Sequence, residues 1–219
     1  DLHRLIRRQR QMCIRDRVYV MVVGETSRAC NWALYGYERE TNPGLSGIGG
    51  LTAFSHVLTE SNTTHKSVPM LLSPVSASSF DSIYYQKGII TAFKEAGYQT
   101  AFFSNQRYNH SFIDFFGKEA DTYDFIKEDV GDSNYNPSDN ELLKLVAKEL
   151  GKGVSRQFIV LHTYGSHFNY KERYPAEQAF FLPDMPVDAE VKYKDNLINA
   201  YDNSCLLYTS DAADELDGV

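Results

Sequence analysis

Four segments of this 219-residue chain offer side chains able to do chemistry: Glu25, the pair Thr63 and Thr64, Asn105, and His162 with His167. Carboxylate oxygen and imidazole nitrogen are ligands that zinc accepts at about 2.0–2.2 Å, and a catalytic zinc keeps one position open for the reacting group. A threonine hydroxyl is a poor nucleophile at neutral pH, and coordination to a metal is one way to lower its pKa. The set therefore suits a hard-to-borderline divalent metal working on an anionic substrate. Gly24-Glu25-Thr26 alone would read as a strand-end carboxylate left in water. The later segments change that reading.

The elements around these residues must deliver them to one place. Val18 to Val23 is an unbroken apolar run closed by Gly24, the pattern of a strand buried on both faces. Ala53 to Leu58 reads as a second strand, followed by the polar stretch Thr59 to Ser67 and then Val68-Pro69-Met70-Leu71-Leu72. Strand, polar elbow and apolar helix start form a layout that holds a hydroxyl at the end of a sheet, where the helix dipole favours an anion. Ile89 to Gly97 reads as a helix with a C-terminal glycine, and Thr100 to Phe103 as a strand ending at Ser104-Asn105-Gln106. Ser138-Asp139-Asn140-Glu141 has the form of a capping box opening a helix from Leu142 to Leu150. Phe158 to Leu161 is a further buried strand, and Asp188 to Asn203 a helix with Val191, Leu197, Ile198 and Tyr201 on one side. Strands alternating with helices predict an α/β fold with a mostly parallel, doubly wound sheet, in one domain without internal repeats. Ligands of such sheets sit beyond the carboxyl ends of the strands. Gly47-Ile48-Gly49-Gly50 matches neither phosphate-loop spacing and reads as a connection.

Composition narrows the classes. The formal net charge of -7 argues against a nucleic-acid surface, and no basic stripe offsets it. Hydrophobic content of 42% is that of a globular chain. No apolar run is long enough to span a membrane, and the basic N-terminus lacks the apolar core of a signal peptide. The three cysteines form no close pair, so they predict neither a disulfide framework nor a zinc knuckle. Residues 1–17 and 205–219 resemble translated sequencing-adapter sequence. The expectation is therefore a non-native arm and tail around a catalytic domain at 18–204, incomplete at its C-terminus, with an exposed sheet edge that favours aggregation.

A family resemblance follows from three stretches. Gly24-Glu25-Thr26-Ser27-Arg28 with Gly36-Tyr37-Glu38-Arg39, then Asn62-Thr63-Thr64-His65-Lys66-Ser67-Val68-Pro69, and then His162-Thr163-Tyr164-Gly165-Ser166-His167 with Arg173-Tyr174-Pro175 together resemble the periplasmic domain of lipid A phosphoethanolamine transferases. The resemblance covers Val18 to Ser204 and implies an alkaline-phosphatase-like fold. It implies Glu25 as a metal ligand, Thr64 rather than Thr63 as nucleophile and metal ligand, and Asn105, His167 and, less directly, His162 as substrate contacts. It also implies one zinc ion, with a second allowed. The donor would be phosphatidylethanolamine and the acceptor a lipid A or core-saccharide group, at the periplasmic face of the bacterial inner membrane, reached through a membrane domain absent from this sequence.

The sequence also departs from that pattern. Asn109 stands where relatives often carry lysine, and Ser61, Asn62 and Met70 stand where many have cysteines around the nucleophile. The Asp-His pair that completes the family's metal site is not found, so the chain alone is expected to bind zinc weakly and to be inactive. Ser67-Val68-Pro69-Met70-Leu71 has leucine where formylglycine sulfatases need arginine, which disfavours sulfate-ester chemistry. A phosphoglycerol transferase or a phosphatase-like hydrolase of the same superfamily are the alternatives. Among the remaining residues, His56 reads as a strand-face histidine, His3, His65 and His110 as surface residues, Cys30 as a small buried one, and Phe112 to Phe116 as core.

Overall fold

The structure, a computed structural model, describes residues 17–127, 137–184 and 191–217. The chain divides into two units: Asp1–Val23, Thr59–Pro137 and Glu141–His162 form the first, and Gly24–Leu58, Ser138–Asn140 and Thr163–Val219 the second.

The first unit is built on a four-stranded sheet of β1 (Arg17–Val23), β2 (Gln99–Ser104), β3 (Thr122–Phe125) and β4 (Arg156–His162), in the order β1-β4-β2-β3. Every pairing is parallel, and the register aligns the carboxyl ends: Val23 with His162, His162 with Ser104, and Ser104 with Phe125. The helices of this unit are α1 (Thr64–Leu72), α2 (Ile89–Glu95), α3 (Phe112–Gly117) and α4 (Glu141–Leu150).

Alternate strand residues face opposite ways, and the two cores follow that period. Phe102, Phe158 and Val160 pack with Leu72, Ile90, Ile113 and Phe116, the contributions of α1, α2 and α3. Ala101, Phe103, Ile159 and Leu161 pack with Leu142 and Val146 of α4. Helices thus cover both sheet faces, the predicted doubly wound arrangement. Helix α2 stops where expected: Gly97 adopts φ +81°, and the N–H groups of Gly97 and Tyr98 reach back to the Lys94 and Phe93 carbonyls.

Three expectations are corrected. Strand β1 forms, but it pairs with β4 alone among the described residues, and Val18, Tyr19, Val20 and Val22 remain 38–41% exposed. It is a half-covered edge strand, because only one side of its backbone has a ladder. Ala53 to Leu58 is not a strand: it joins no ladder among the described residues, and Phe54, Val57 and Leu58 are exposed, so His56 lies on no strand face. Its apolar composition mimicked a strand that has no partner. The sheet's remaining strand is β3, whose Tyr123 is exposed and Phe125 buried. Cys30 is exposed, not buried.

The second unit is organised by α5 (Lys194–Asp217), preceded by a short 3-10 turn at Val191–Tyr193. The expected start at Asp188 lies outside the described residues, as do the predicted arm up to residue 16 and His3. Of the expected apolar stripe, Tyr201 is buried, and the polar Asn199, Asp202 and Asn203 are buried with it, the last three at the i, i+3, i+4 spacing of one helix face. Each is satisfied. Asn203 Oδ1 accepts from the Phe180 and Phe181 amides, and Asn199 donates from Nδ2 to the Pro183 carbonyl. Asp202 accepts from Asn31, Tyr37 and Arg39.

The helix continues beyond Asn203, and Cys205 is fully buried 3.7 Å from the Ser166 hydroxyl. Burial pushes its thiol up to about 11, and a thiol is a weak nucleophile until it ionises. Native alkylation should therefore label Cys30 at once and Cys205 only as the protein opens. Equal labelling rates, read by peptide mass spectrometry, would mean that α5 does not pack as far as residue 205.

Candidate active site

The five residues singled out from the sequence divide between the units: Thr64, Asn105 and His162 belong to the first, Glu25 and His167 to the second.

Thr64 is the first residue of α1 and is half-buried. Thr63 before it is extended (φ -126°, ψ 132°), and its carbonyl accepts from the Lys66 and Ser67 amides, closing the first turn. Thr63 Oγ1 lies 3.2 Å from Ser61 Oγ. The strand-elbow-helix layout is thus corrected in its first part and kept in its second: no strand precedes the elbow, but the elbow does lead into a helix. The helix N-terminus places partial positive charge near Thr64.

Asn105 and His162 come together at the carboxyl ends of β2 and β4. The Asn105 amide N–H donates to the His162 carbonyl at 2.9 Å, and Asn105 Nδ2 donates to the Pro137 carbonyl at 3.0 Å. Ser104 Oγ and His162 Nδ1 are 3.1 Å apart. Both Asn105 and His162 are buried, so this part of the unit is a preorganised polar corner under the end of the sheet.

In the second unit Glu25 is buried, and its Oε1 accepts from Thr26 Oγ1 at 2.7 Å. Its carbonyl accepts from the Ser166 amide at 3.1 Å. Gly165, at φ +46°, runs so close that a Cβ there would lie 2.9 Å from Glu25 O and 3.2 Å from Glu25 N. Asp139 fixes this strap: its two carboxylate oxygens accept from the Tyr164 and Gly165 amides, each at 2.8 Å. His167 follows on the same strap. Its ring stacks on Tyr164 with centroids 4.7 Å apart, and the Arg173 guanidinium lies 4.4 Å from the Tyr164 ring centroid. A carbonyl can only accept, so His167 Nδ1, 2.6 Å from the Phe168 carbonyl, carries the hydrogen. In the neutral ring Nε2 is then the acceptor.

Sequence reading missed several of these supports. Asp139, expected within a capping box, holds the strap of Tyr164 and Gly165. Helix α3, expected as an aromatic core stretch, buries Ile113 and Phe116 but leaves Phe115 exposed, and Ser111 and Asp114 form a reciprocal capping box at its start. That spacing was the available signal.

The donors fit zinc in kind and fall short of it in number. Within its own unit each offers a single donor, Glu25 a carboxylate and Thr64 a hydroxyl, whereas a catalytic zinc takes about three protein ligands. Among the described residues no group of three or more His, Cys, Asp or Glu gathers as a metal site.

Comparison with known proteins gives consistent relatives. Residues 17–216 match the sulfatase family. The chain is 32% identical over 209 residues to the phosphatidylethanolamine transferase Mcr-1 of Escherichia coli, covering 90% of this chain and 38% of the relative. It is 28% identical over 204 residues to the phosphoethanolamine transferase CptA of Salmonella typhimurium, covering 87% and 34%. It thus spans little more than a third of the length of these relatives. Among solved structures, the C-terminal periplasmic domain of EcEptC from Escherichia coli in complex with Zn superposes with a TM-score of 0.83 at 25% identity, covering 93% of this chain and 59% of that one.

Proposed function

Since the chain belongs to the sulfatase family, we propose that it is part of a phosphoethanolamine transferase in which Thr64 takes up the phosphoryl group. The observation that carries this reading is the position of Thr64, half-buried at the head of α1. The names of the relatives support the transferred group.

Thr64 Oγ1 attacks the phosphorus of phosphatidylethanolamine as the phosphorus–oxygen bond to diacylglycerol breaks. The hydroxyl proton ends on the diacylglycerol oxygen, leaving phosphoethanolamine on Thr64. A phosphate or hydroxyl oxygen of a lipid A or core-saccharide acceptor then displaces Thr64, which regains a proton. The dipole of α1 favours the charge on the phosphoryl oxygens. Asn105, His167 and His162 are the proposed contacts to the substrate.

Zinc is the proposed metal, one ion with a second allowed, and Glu25 and Thr64 would hold it. When bound, it supplies the Lewis acidity that makes a threonine hydroxyl a competent nucleophile. The proposed location is the periplasmic face of the bacterial inner membrane. The periplasmic EptC neighbour supports it, and no helix among the described residues is long and apolar enough to cross a membrane. Leu71 stands at the position where formylglycine sulfatases need arginine, so family membership does not carry sulfate-ester chemistry here.

The test is covalent trapping. The full chain is incubated with zinc and phosphatidylethanolamine vesicles, digested, and the peptide spanning Thr63 and Thr64 is sequenced by mass spectrometry. Phosphoethanolamine on Thr64, lost in Thr64→Ala and kept in Thr63→Ala, is the result the transferase reading requires, and an unmodified peptide is the result that inactivity of the chain alone requires. An adduct on Thr63 would overturn the assignment. Free phosphoethanolamine released without acceptor would point to a hydrolase.

A further inference from the structure

Ser104 and His162 stand opposite one another at the carboxyl ends of β2 and β4, in register across the ladder. Both are buried, Ser104 fully and His162 at 1% exposure. Their backbones are fixed as well. The Ser104 carbonyl accepts from the Ile126 amide at 3.0 Å, and the His162 carbonyl from the Asn105 amide at 2.9 Å.

A serine hydroxyl has one hydrogen to give and two lone pairs to receive. Ser104 Oγ accepts from the Gln106 amide at 3.1 Å, and among the described residues its other partner is His162 Nδ1, also at 3.1 Å. A backbone amide only donates, so the acceptor within reach of the Ser104 hydrogen is Nδ1. The reverse arrangement, with a hydrogen on Nδ1, would bury the hydroxyl hydrogen without an acceptor, at the full desolvation penalty of a lost partner. The hydrogen bond made at one ring nitrogen fixes the state of the other. With Nδ1 accepting, neutral His162 carries its hydrogen on Nε2. His167 is held the other way, its hydrogen on Nδ1 beside the Phe168 carbonyl.

We propose that Ser104 is a positioning residue that fixes His162 as the Nε2–H tautomer, which makes His162 a hydrogen-bond donor, and not a proton acceptor, at Nε2. This holds whatever group Nε2 meets, protein or substrate, because it is set at the opposite nitrogen. Its use in catalysis rests on the transferase reading above. His162 then offers a hydrogen bond to a phosphoryl oxygen and does not take up the Thr64 proton through that nitrogen.

Long-range proton–nitrogen correlation spectra of the isotope-labelled full chain read the tautomer of each ring. His162→Gln identifies the His162 signals among those of the six histidines. Above the ordinary imidazole pKa of about 6.5, wild type should show Nε2 protonated and Nδ1 bare. A hydrogen on Nδ1 in wild type would overturn the proposal, and it does so even where a variant fails to fold.

Two variants then test Ser104 itself. Ser104→Ala removes the donor and should move the two nitrogen shifts towards each other as both tautomers become populated. Ser104→Thr keeps the hydroxyl and should retain the wild-type pattern. A purely structural serine would loosen the strand ends without moving the tautomer, so an unchanged pattern in S104A refutes positioning. The spectra use neither substrate nor activity. Failure of the trapping experiment on Thr64 would therefore remove the catalytic use and leave the tautomer assigned, whereas a protonated Nδ1 would remove the assignment and leave the transferase reading.

Discussion

Asp202→Ala is expected to lower the unfolding free energy by about 3 kcal/mol, the low end of the cost of breaking a buried ion pair. The Asp202 side chain is 0% exposed. It accepts from Asn31 Nδ2 at 3.0 Å, Tyr37 OH at 2.8 Å and Arg39 at 2.9 Å. Truncation strands three donors at once. The low end applies because the Arg39 side chain is 32% exposed and can recover water.

A pH signature accompanies the loss. Burial, and then the hydrogen bond to Asp202, push the Tyr37 phenol up to about 12. A raised folded-state pKa contributes stability that is fully present below the unfolded value of about 10 and lost as pH rises towards the folded value. Wild type should thus show an alkaline limb in this window that Asp202→Ala weakens. Urea denaturation across that pH range measures both effects. A midpoint that stays at the wild-type value at neutral pH would show that α5 is not tied to Asn31–Arg39 through this carboxylate.

Gly165→Ala is the second large effect, about 3 kcal/mol of destabilisation. Its left-handed φ of +46° costs an L-residue roughly 1–2 kcal/mol. Overpacking adds about 1–3 kcal/mol, because the new Cβ would meet the backbone of Glu25 at 2.9 Å and 3.2 Å, not the movable tip of a side chain. The strap must then leave Glu25, breaking the bond from the Ser166 amide, while Asp139 pulls the Tyr164 and Gly165 amides the other way. Hydrogen exchange at Ser166 should accelerate far more than exchange in β2 or β4. Unchanged protection at Ser166 would mean that the strap does not depend on the close approach at Gly165.

How much of this was legible depended on whether the cause was local. Strands β2 and β4 and helices α2 and α4 were visible because continuous apolar runs and closing glycines are local signals. The half-exposure of β1 was not, since burial depends on which strands flank it and not on its own residues. Ala53 to Leu58 failed for the same reason: an apolar run becomes a strand only with a partner. The polar part of the buried surface of α5 was missed because Asn199, Asp202 and Asn203 read as a solvated side until their partners, many residues away, are known. The candidate site shows the same division. Glu25, Thr64, Asn105, His162 and His167 are named through residue type together with the family resemblance, and their roles are proposals. The group that holds the Glu25 carbonyl could not be assigned, because the Ser166 amide reaches it from far along the sequence.

The register of the sheet also sets a timetable. Strand β2 pairs with β3 through Ala101 and Thr122, a short separation, whereas Arg17 of β1 finds its partner only at Arg156. Contacts so distant along the chain carry a large loop-closure entropy and form late. During synthesis at about 5–20 residues per second, β1 would wait on the order of ten seconds or more for β4. The strand made first is expected to dock last. Pulse-labelled hydrogen exchange during refolding should find β2 and β4 amides protected before those of β1, and the reverse order would refute this sequence of events.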